Sequence, residues 1–332
     1  MGPREPAPEH AFTSARGKLI ADAGRGGITL VLGAGLGIPY KVPSWIELVA
    51  RLWQITFGEP MPQVSKLPQY LPMALDRIAA RLGTARFIGA VRRRLYEGMR
   101  LPRSIAAPGE HTSLAVIARL LAREHARGER RRITRVITFN VDDLLERAVH
   151  PLAPGRLVLR PVARASHHPM VGLGEEPIPV YHLHGFLPQT PHGQGRDAPD
   201  ALIFTDSQYW TAAAAPMSFA NRTMAFALHD SRCVFVGVSM TDINLIRWLA
   251  VRATEIEADK RNQFGLHPQG DERELRAAVR EALDRHFWIR AGSDDPTGFL
   301  GEYLRLRGVR TVPIRSWEGS DFEGLLERVF PR

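Results

Sequence analysis

Ile28-Thr29-Leu30-Val31-Leu32 runs straight into Gly33-Ala34-Gly35, and the fold turns on this stretch. A compact, almost unbroken apolar run of this length reads as a strand buried on both faces, as in a parallel sheet. Glycines directly after it let the chain turn tightly. Working outward, further strands are expected at Arg135–Phe139, Leu157–Val162, Ile178–His184, Ala201–Thr205, Cys233–Val238, His286–Arg290 and Val309–Ile314. Helical spacing fills the intervals at 14–23, 73–82, 84–99, 112–127, 216–229, 242–256, 271–284 and 297–307. Ser44-Trp45-Ile46-Glu47 opens another helix with a capping box, and Ser320-Asp321-Phe322-Glu323 has the same form. Strands alternating with helices predict an α/β fold with a doubly wound parallel sheet.

The domain organisation follows from where the alternation lapses. Residues 1–12 are polar and proline-rich and read as a flexible arm. Residues 13–332 read as one domain. A run of helices without strands over about 58–130 marks an inserted helical module, and 151–200 is rich in loops. Within it, 186–200 is a polar Gly/Pro loop expected to be mobile, and 257–270 reads as a polar linker.

With 332 residues, of which 44% are hydrophobic and 24% charged, the chain has globular composition and enough length for a full core. The formal charge of +9 invites nucleic-acid binding. Only Lys18, Lys41, Lys66 and Lys260 are lysines, so arginine supplies 40 of the 44 basic residues, and these are dispersed among acids. That pattern reads as GC-rich coding bias rather than as a binding stripe. The clusters Arg92-Arg93-Arg94 and Arg130-Arg131-Arg132 read as solvated helix ends, with contacts to a partner or to nucleic acid as the alternative. The single cysteine, Cys233, allows no intrachain disulfide and no zinc site needing two or more thiolates. The N-terminus has no apolar signal segment, and no apolar run approaches the ~18 residues of a membrane span. A cytoplasmic protein is expected, with no membrane contact.

In an open α/β sheet, ligands bind outside the carboxyl ends of the strands, and four ends carry polar residues or glycines here. Gly33-Ala34-Gly35 is a plain tight turn or a phosphate cradle. Its third glycine, needed for a dinucleotide fingerprint, is replaced by Ile38. Asn140 and Asp142 after the second strand are helix caps or contacts to a ribose and an amide. In Tyr181-His182-Leu183-His184-Gly185 the two histidines are expected to share a strand face. His184, followed by Gly185 at the strand end, is a satisfied core histidine or a general base. A metal cluster with His167, His168 and His192 is the less favoured alternative. Gly237 and Ser239, followed by Asp242 and Asn244, form a capped helix start or a phosphate or ribose contact.

In order along the chain, Gly-Ala-Gly, Pro43-Ser44-Trp45, Phe-Asn-x-Asp, Leu-His-Gly and Gly-x-Ser-x-x-Asp-x-Asn resemble the bacterial sirtuin-like NAD+-consuming domains of antiphage defence systems. The resemblance spans about residues 25–315. It implies a Rossmann-like sheet with an inserted helical module and NAD+, as substrate, across the strand ends. It assigns Gly33, Ala34 and Gly35 to the pyrophosphate. Asn140 would hold the nicotinamide ribose and the attacking water, Asp142 the carboxamide, and His184 would be the general base. Gly237, Ser239 and Asn244 would meet the adenosine side. No metal is expected. The chain departs from the family at Gly37, where Ser is usual, and at Lys41, where Gly is usual; both lie in the loop that covers the cofactor.

The acceptor separates two chemistries. Sirtuin deacylases carry a small domain usually built on four zinc-binding cysteines, and one cysteine cannot form it. Water is then the expected acceptor, giving nicotinamide and ADP-ribose. The resemblance implies a toxic NAD-depleting effector acting by abortive infection. It also implies a homo-oligomer, or a partner such as a hexameric DNA-translocase-type ATPase or a short Argonaute, with nucleic acid contacted only indirectly. A sensor that binds NAD+ or ADP-ribose without chemistry is the alternative, and a protein deacylase a more distant one.

Overall fold

A computed structural model describes residues 8–63, 67–102, 105, 107, 109–167, 176–190, 202–264, 272–292 and 298–332. Among the described residues seven strands are formed: β1 (Ile28–Leu32), β2 (Ile133–Thr138), β3 (Leu159–Val162), β4 (Ile178–His182), β5 (Arg232–Val236), β6 (His286–Ala291) and β7 (Val309–Ile314). They make one parallel sheet in the order β3-β4-β2-β1-β5-β6-β7. The order reverses about β1, as in a doubly wound sheet. The register sets Thr138 opposite His182 in the β2–β4 pair, and Phe235 opposite Trp288 in the β5–β6 pair. Every residue of β1 is buried, as its continuous apolar run requires.

The helices are α1 (Pro8–Gly24), α2 (Trp45–Phe57), α3 (Leu71–Leu82), α4 (Thr84–Tyr96), α5 (Ser113–Ala126), α6 (Leu144–Val149), α7 (Asp206–Ala214), α8 (Phe219–Asp230), α9 (Ile243–Gln263), α10 (Glu272–Leu283), α11 (Phe299–Arg305) and α12 (Ser320–Val329). No described helix is long and apolar enough to cross a membrane.

The chain divides into two compact units. One comprises Met1–Val31, Arg130–Thr134 and Met224–Arg332; the other comprises Leu32–Glu129 and Arg135–Thr223. In the second unit, helices α2 to α4 bury Leu48, Leu52, Trp53, Leu75, Ile78, Phe87 and Val91 in a single cluster. The cluster also takes in Val141, Leu187, Leu202 and Phe204 from the loops after the strands. Each such side chain contributes ~1.5–3 kcal/mol on burial, so the helical module is a support for those loops. In the first unit, Thr29 and Ser231 share a buried hydroxyl pair at 2.6 Å. Cys233 is buried within β5, with its Sγ 3.6 Å from the Ala227 carbonyl.

Several local expectations change. The arm read over 1–12 is helical from Pro8, where proline at a first helical position loses no hydrogen bond; residues 1–7 lie outside the described ones. The strand expected at Ala201–Thr205 does not form over residues 202–205. Leu202 and Phe204 turn into the helical cluster, and the backbone N–H groups of Phe204 and Thr205 donate to Gln208 Oε1. The Ser44–Glu47 capping box is present. The Ser320–Glu323 box is not, because Gly319 is the N-cap and Asp321 instead accepts from Arg315 N–H at 2.6 Å. Helix α9 runs on through Gln263 into the expected linker, carried by good helix formers and an Arg261–Glu257 pair at 3.1 Å. Of the expected mobile loop 186–200, Phe186 and Leu187 are buried, and 191–200 lie outside the described residues.

Candidate active site

In the second unit, the turn after β1 is a 3-10 helix, Ala34–Tyr40, whose N-cap Gly33 is extended and offers no side-chain cap. Its first-turn amides are therefore not claimed by a capping side chain. Lys41 closes the turn in the left-handed region, at φ 61°. A Cβ on Gly37 would lie 2.9 Å from Val42 Cβ, closer than side-chain carbons approach, so the backbone here packs against Val42 in a way only glycine allows.

The end of β2 is tied to this turn. Thr138 donates from its hydroxyl to the Leu32 carbonyl (3.2 Å), and Asn140 donates from Nδ2 to the Gly33 carbonyl (3.2 Å). Asn140 N–H in turn donates to Thr138 Oγ1 at 3.0 Å. Two residues on, Asp142 is buried and accepts from Leu144 N–H at 3.0 Å, opening α6. Burial pushes its carboxyl up to about 6; the Leu144 N–H opposes this, the Glu146 carboxylate adds to it, and the His182 cation opposes it.

Beside it, Asp143 is fixed from the helical module. Tyr96 at the end of α4 sets its hydroxyl 3.0 Å from Asp143 Oδ1 and 2.9 Å from the Leu187 carbonyl, and accepts from Asp143 N–H at 3.1 Å. Burial raises the Asp143 carboxyl above its usual range.

The two histidines of the β4 end do not share an environment. The strand stops at His182, and Leu183–Gly185 turn away, with Gly185 at φ 91°. His182 is 1% exposed; its Nδ1 lies 2.9 Å from the Asn140 carbonyl and its Nε2 3.0 Å from Glu146 Oε1. Both ring nitrogens are occupied by these contacts, so His182 is not available as a base. Burial alone would depress its basicity, but the Glu146 carboxylate, the Asn140 carbonyl and Asp142 together raise it. His184, also buried, stands between the rings of Phe139 and Tyr209, at centroid distances of 5.3 and 5.4 Å and near-perpendicular to both.

Tyr209 reaches His184 from α7, a helix not anticipated from the sequence. Its start is held by a Thr205–Gln208 capping box, and by Asp76 of α3, which accepts from Ser207 N–H (3.1 Å) and Oγ (2.8 Å). The T-x-x-Q spacing was the available signal. Glu146 was also missed, although it lies four residues after Asp142.

In the first unit, Gly237 follows β5 at φ 65°, and buried Met240 takes the left-handed φ of 59°. Ser239 is exposed and pairs with Thr241 Oγ1 at 2.9 Å. Asp242 caps α9, accepting from Asn244 and Leu245 N–H at 2.9 and 3.0 Å. Asn244 is buried, and its Oδ1 accepts from Arg247 at 3.3 Å.

Gly33, Ala34, Gly35, Asn140, Asp142 and His184 thus lie in one unit. Gly237, Ser239 and Asn244 lie together in the other. Among the described residues, no group of three His, Cys, Asp or Glu side chains is arranged to hold a metal. His168 and His192 lie outside the described residues, as does the side chain of His167. A search of curated proteins finds no match to the chain. Residues 134–288, which include Asn140, Asp142, His184, Gly237, Ser239 and Asn244 but not the Gly33–Gly35 turn, match the family of SIR2-like domains.

Proposed function

We propose that this chain hydrolyses NAD+ to nicotinamide and ADP-ribose. One observation carries the reading. Asn140 is pinned at the mouth of the glycine turn by its Nδ2 bond to the Gly33 carbonyl, with buried Asp142 two residues on, inside a SIR2-like match. The glycine turn supplies amides for a pyrophosphate, since no side chain caps it. Asp142 is suited to the carboxamide: ionised above about pH 6, it accepts from the amide NH2.

The C1′–nitrogen bond breaks, its electron pair leaves with neutral nicotinamide, and positive charge develops on the ribose. The oxygen of water bonds to C1′, and one proton is lost. His184 takes that proton from water or from a ribose hydroxyl, and Asn140 orients the acceptor. Base catalysis of this kind supplies ~10²–10⁴-fold. His182 is excluded from the role by its two contacts. With a single cysteine in the chain, the four-cysteine zinc module of a deacylase has no ligands, which favours water over an acyl-lysine as acceptor.

Such an enzyme depletes NAD+ as an effector of antiphage defence, in the cytoplasm. Its activity is controlled by a trigger or by assembly, with itself or with a partner ATPase or Argonaute. The test is NAD+ consumption by the purified chain, alone and with neighbouring gene products. Release of nicotinamide and ADP-ribose supports the reading. A thermal shift with NAD+ but no product in any mixture replaces it with a sensor. The acid limb of kcat/KM is expected near pH 6, set by Asp142.

A further inference from the structure

His182 is a buried group that hydrolysis, as described, leaves without a task. Its Nδ1 faces the Asn140 carbonyl, which only accepts, so Nδ1 carries a proton. Its Nε2 faces Glu146 Oε1 at 3.0 Å. The Glu146 side chain is 16% exposed, so solvent screens the pair little. Around the ring stand Glu146 from α6, Asp142 from the β2 end and the Phe186 ring at 4.5 Å; Asp143 is turned toward Tyr96 and Gln189 N–H. Two carboxylates and a carbonyl therefore meet one imidazole, an arrangement that a doubly protonated ring satisfies and a neutral ring does not.

We infer that His182 and Glu146 form a positioning pair that fixes Asn140: the imidazolium grips the Asn140 peptide from its carbonyl side while the Asn140 side chain is held by Gly33. Asn140 is thereby fixed at both ends, through Nδ2 to Gly33 and through its carbonyl to His182. Removing one end leaves the side chain in place but free to rotate out of line, a loss felt in the chemical step more than in substrate binding. The pair also places a cation beside Asp142, opposing the rise that burial imposes on that carboxyl. The role in turnover rests on the hydrolase reading above; the protonation state of the pair does not.

The experiment combines ring 15N NMR of His182 from pH 5 to 9 with kcat, KM and Tm for wild type, Glu146→Gln and His182→Gln. In wild type, both ring nitrogens are expected to be protonated at pH 7.5, and Glu146→Gln moves the ring titration down by at least one pH unit. Glu146→Gln is expected to lower kcat at least tenfold at pH 7.5, with KM within threefold, and to recover as the pH falls and the ring reprotonates. His182→Gln lowers kcat at every pH. If His182→Gln does not fold, Glu146→Gln carries the test alone. A ring neutral at pH 7.5, or a kcat in Glu146→Gln that is unchanged or equally lowered at every pH, overturns the pair. If wild type shows no turnover at all, the hydrolase reading falls and the ring titration alone decides the pair.

Discussion

Among the described residues, His182 and His286 are both enclosed, and their surroundings push their basicity in opposite directions. His182, in the unit holding Asn140, meets a carbonyl and a carboxylate, and the Glu146 carboxylate outweighs burial to raise its basicity. His286, at the start of β6 in the other unit, accepts from Cys233 N–H through Nδ1 at 3.1 Å. Burial, Arg252 and Arg285 push His286 well below its usual range. Arg252 itself is buried, donates to the Leu283 and Ala282 carbonyls at the end of α10, and is lowered to about 10. Burial is the same for both rings; the neighbours decide. Acceptors raise the basicity of one, beside a strand-end loop, and donors and cations lower that of the other.

The contrast has opposite pH signatures. His286 has a depressed folded pKa, so its stabilising contribution is present above the unfolded value of ~6.5 and is lost as pH falls below it. Asp142 and His182 have raised folded values, so theirs are present at acid pH and lost as pH rises, for Asp142 between about 4 and 6.

The largest expected effect is at His286. His286→Leu leaves the buried Cys233 N–H without its acceptor and costs ~2–3 kcal/mol at pH 7.5. It also flattens the loss of stability below pH 6.5, as denaturant titrations at several pH values would show. A variant as stable as wild type would break the contrast. Asp142→Asn is next and of opposite sign: it keeps an acceptor for Leu144 N–H and removes the buried charge. A gain of ~2 kcal/mol is expected at pH 7.5, vanishing near pH 4, since the rise of the Asp142 carboxyl from 3.8 to about 6, with the opposing effect of His182 already included, bounds the gain at ~2.7 kcal/mol. Turnover should fall in the same variant.

The left-handed residues sharpen the comparison on a smaller scale. Lys41 is exposed and Met240 is buried, and both pay ~1–2 kcal/mol for their backbone conformation. Lys41→Gly is expected to raise stability by ~0.5–1 kcal/mol, since strain is relieved and no packing is lost. Met240→Gly is expected to lower it by ~1 kcal/mol, because lost burial exceeds the relief. Thermal melts of the two variants in parallel check both signs.

The sheet was largely legible in the sequence because buried parallel strands are short apolar runs, and β1, β6 and β7 stand close to where their runs lie. The failures share a cause. Leu202, Ile203 and Phe204 look like a strand, yet side chains rather than a neighbouring strand take up Leu202 and Phe204. Helix α7 is hidden because none of its described residues is buried, so it has no apolar stripe, and only its capping box marks it. Within the candidate site, period-2 spacing put His182 and His184 together; the strand ends between them, and a turn whose glycine takes φ 91° sends them into different surroundings. Glu146 was invisible because its importance lies in a partner 36 residues away.

The central claim is that Asn140 and His184 serve a hydrolytic NAD+ site. It is tested most directly by nicotinamide release from NAD+ by wild type, Asn140→Ala and His184→Ala, each checked for folding by its melt. The account predicts turnover in wild type, alone or with its partner, and a loss of at least ~10²-fold in both variants. Turnover that persists undiminished in either variant would contradict it.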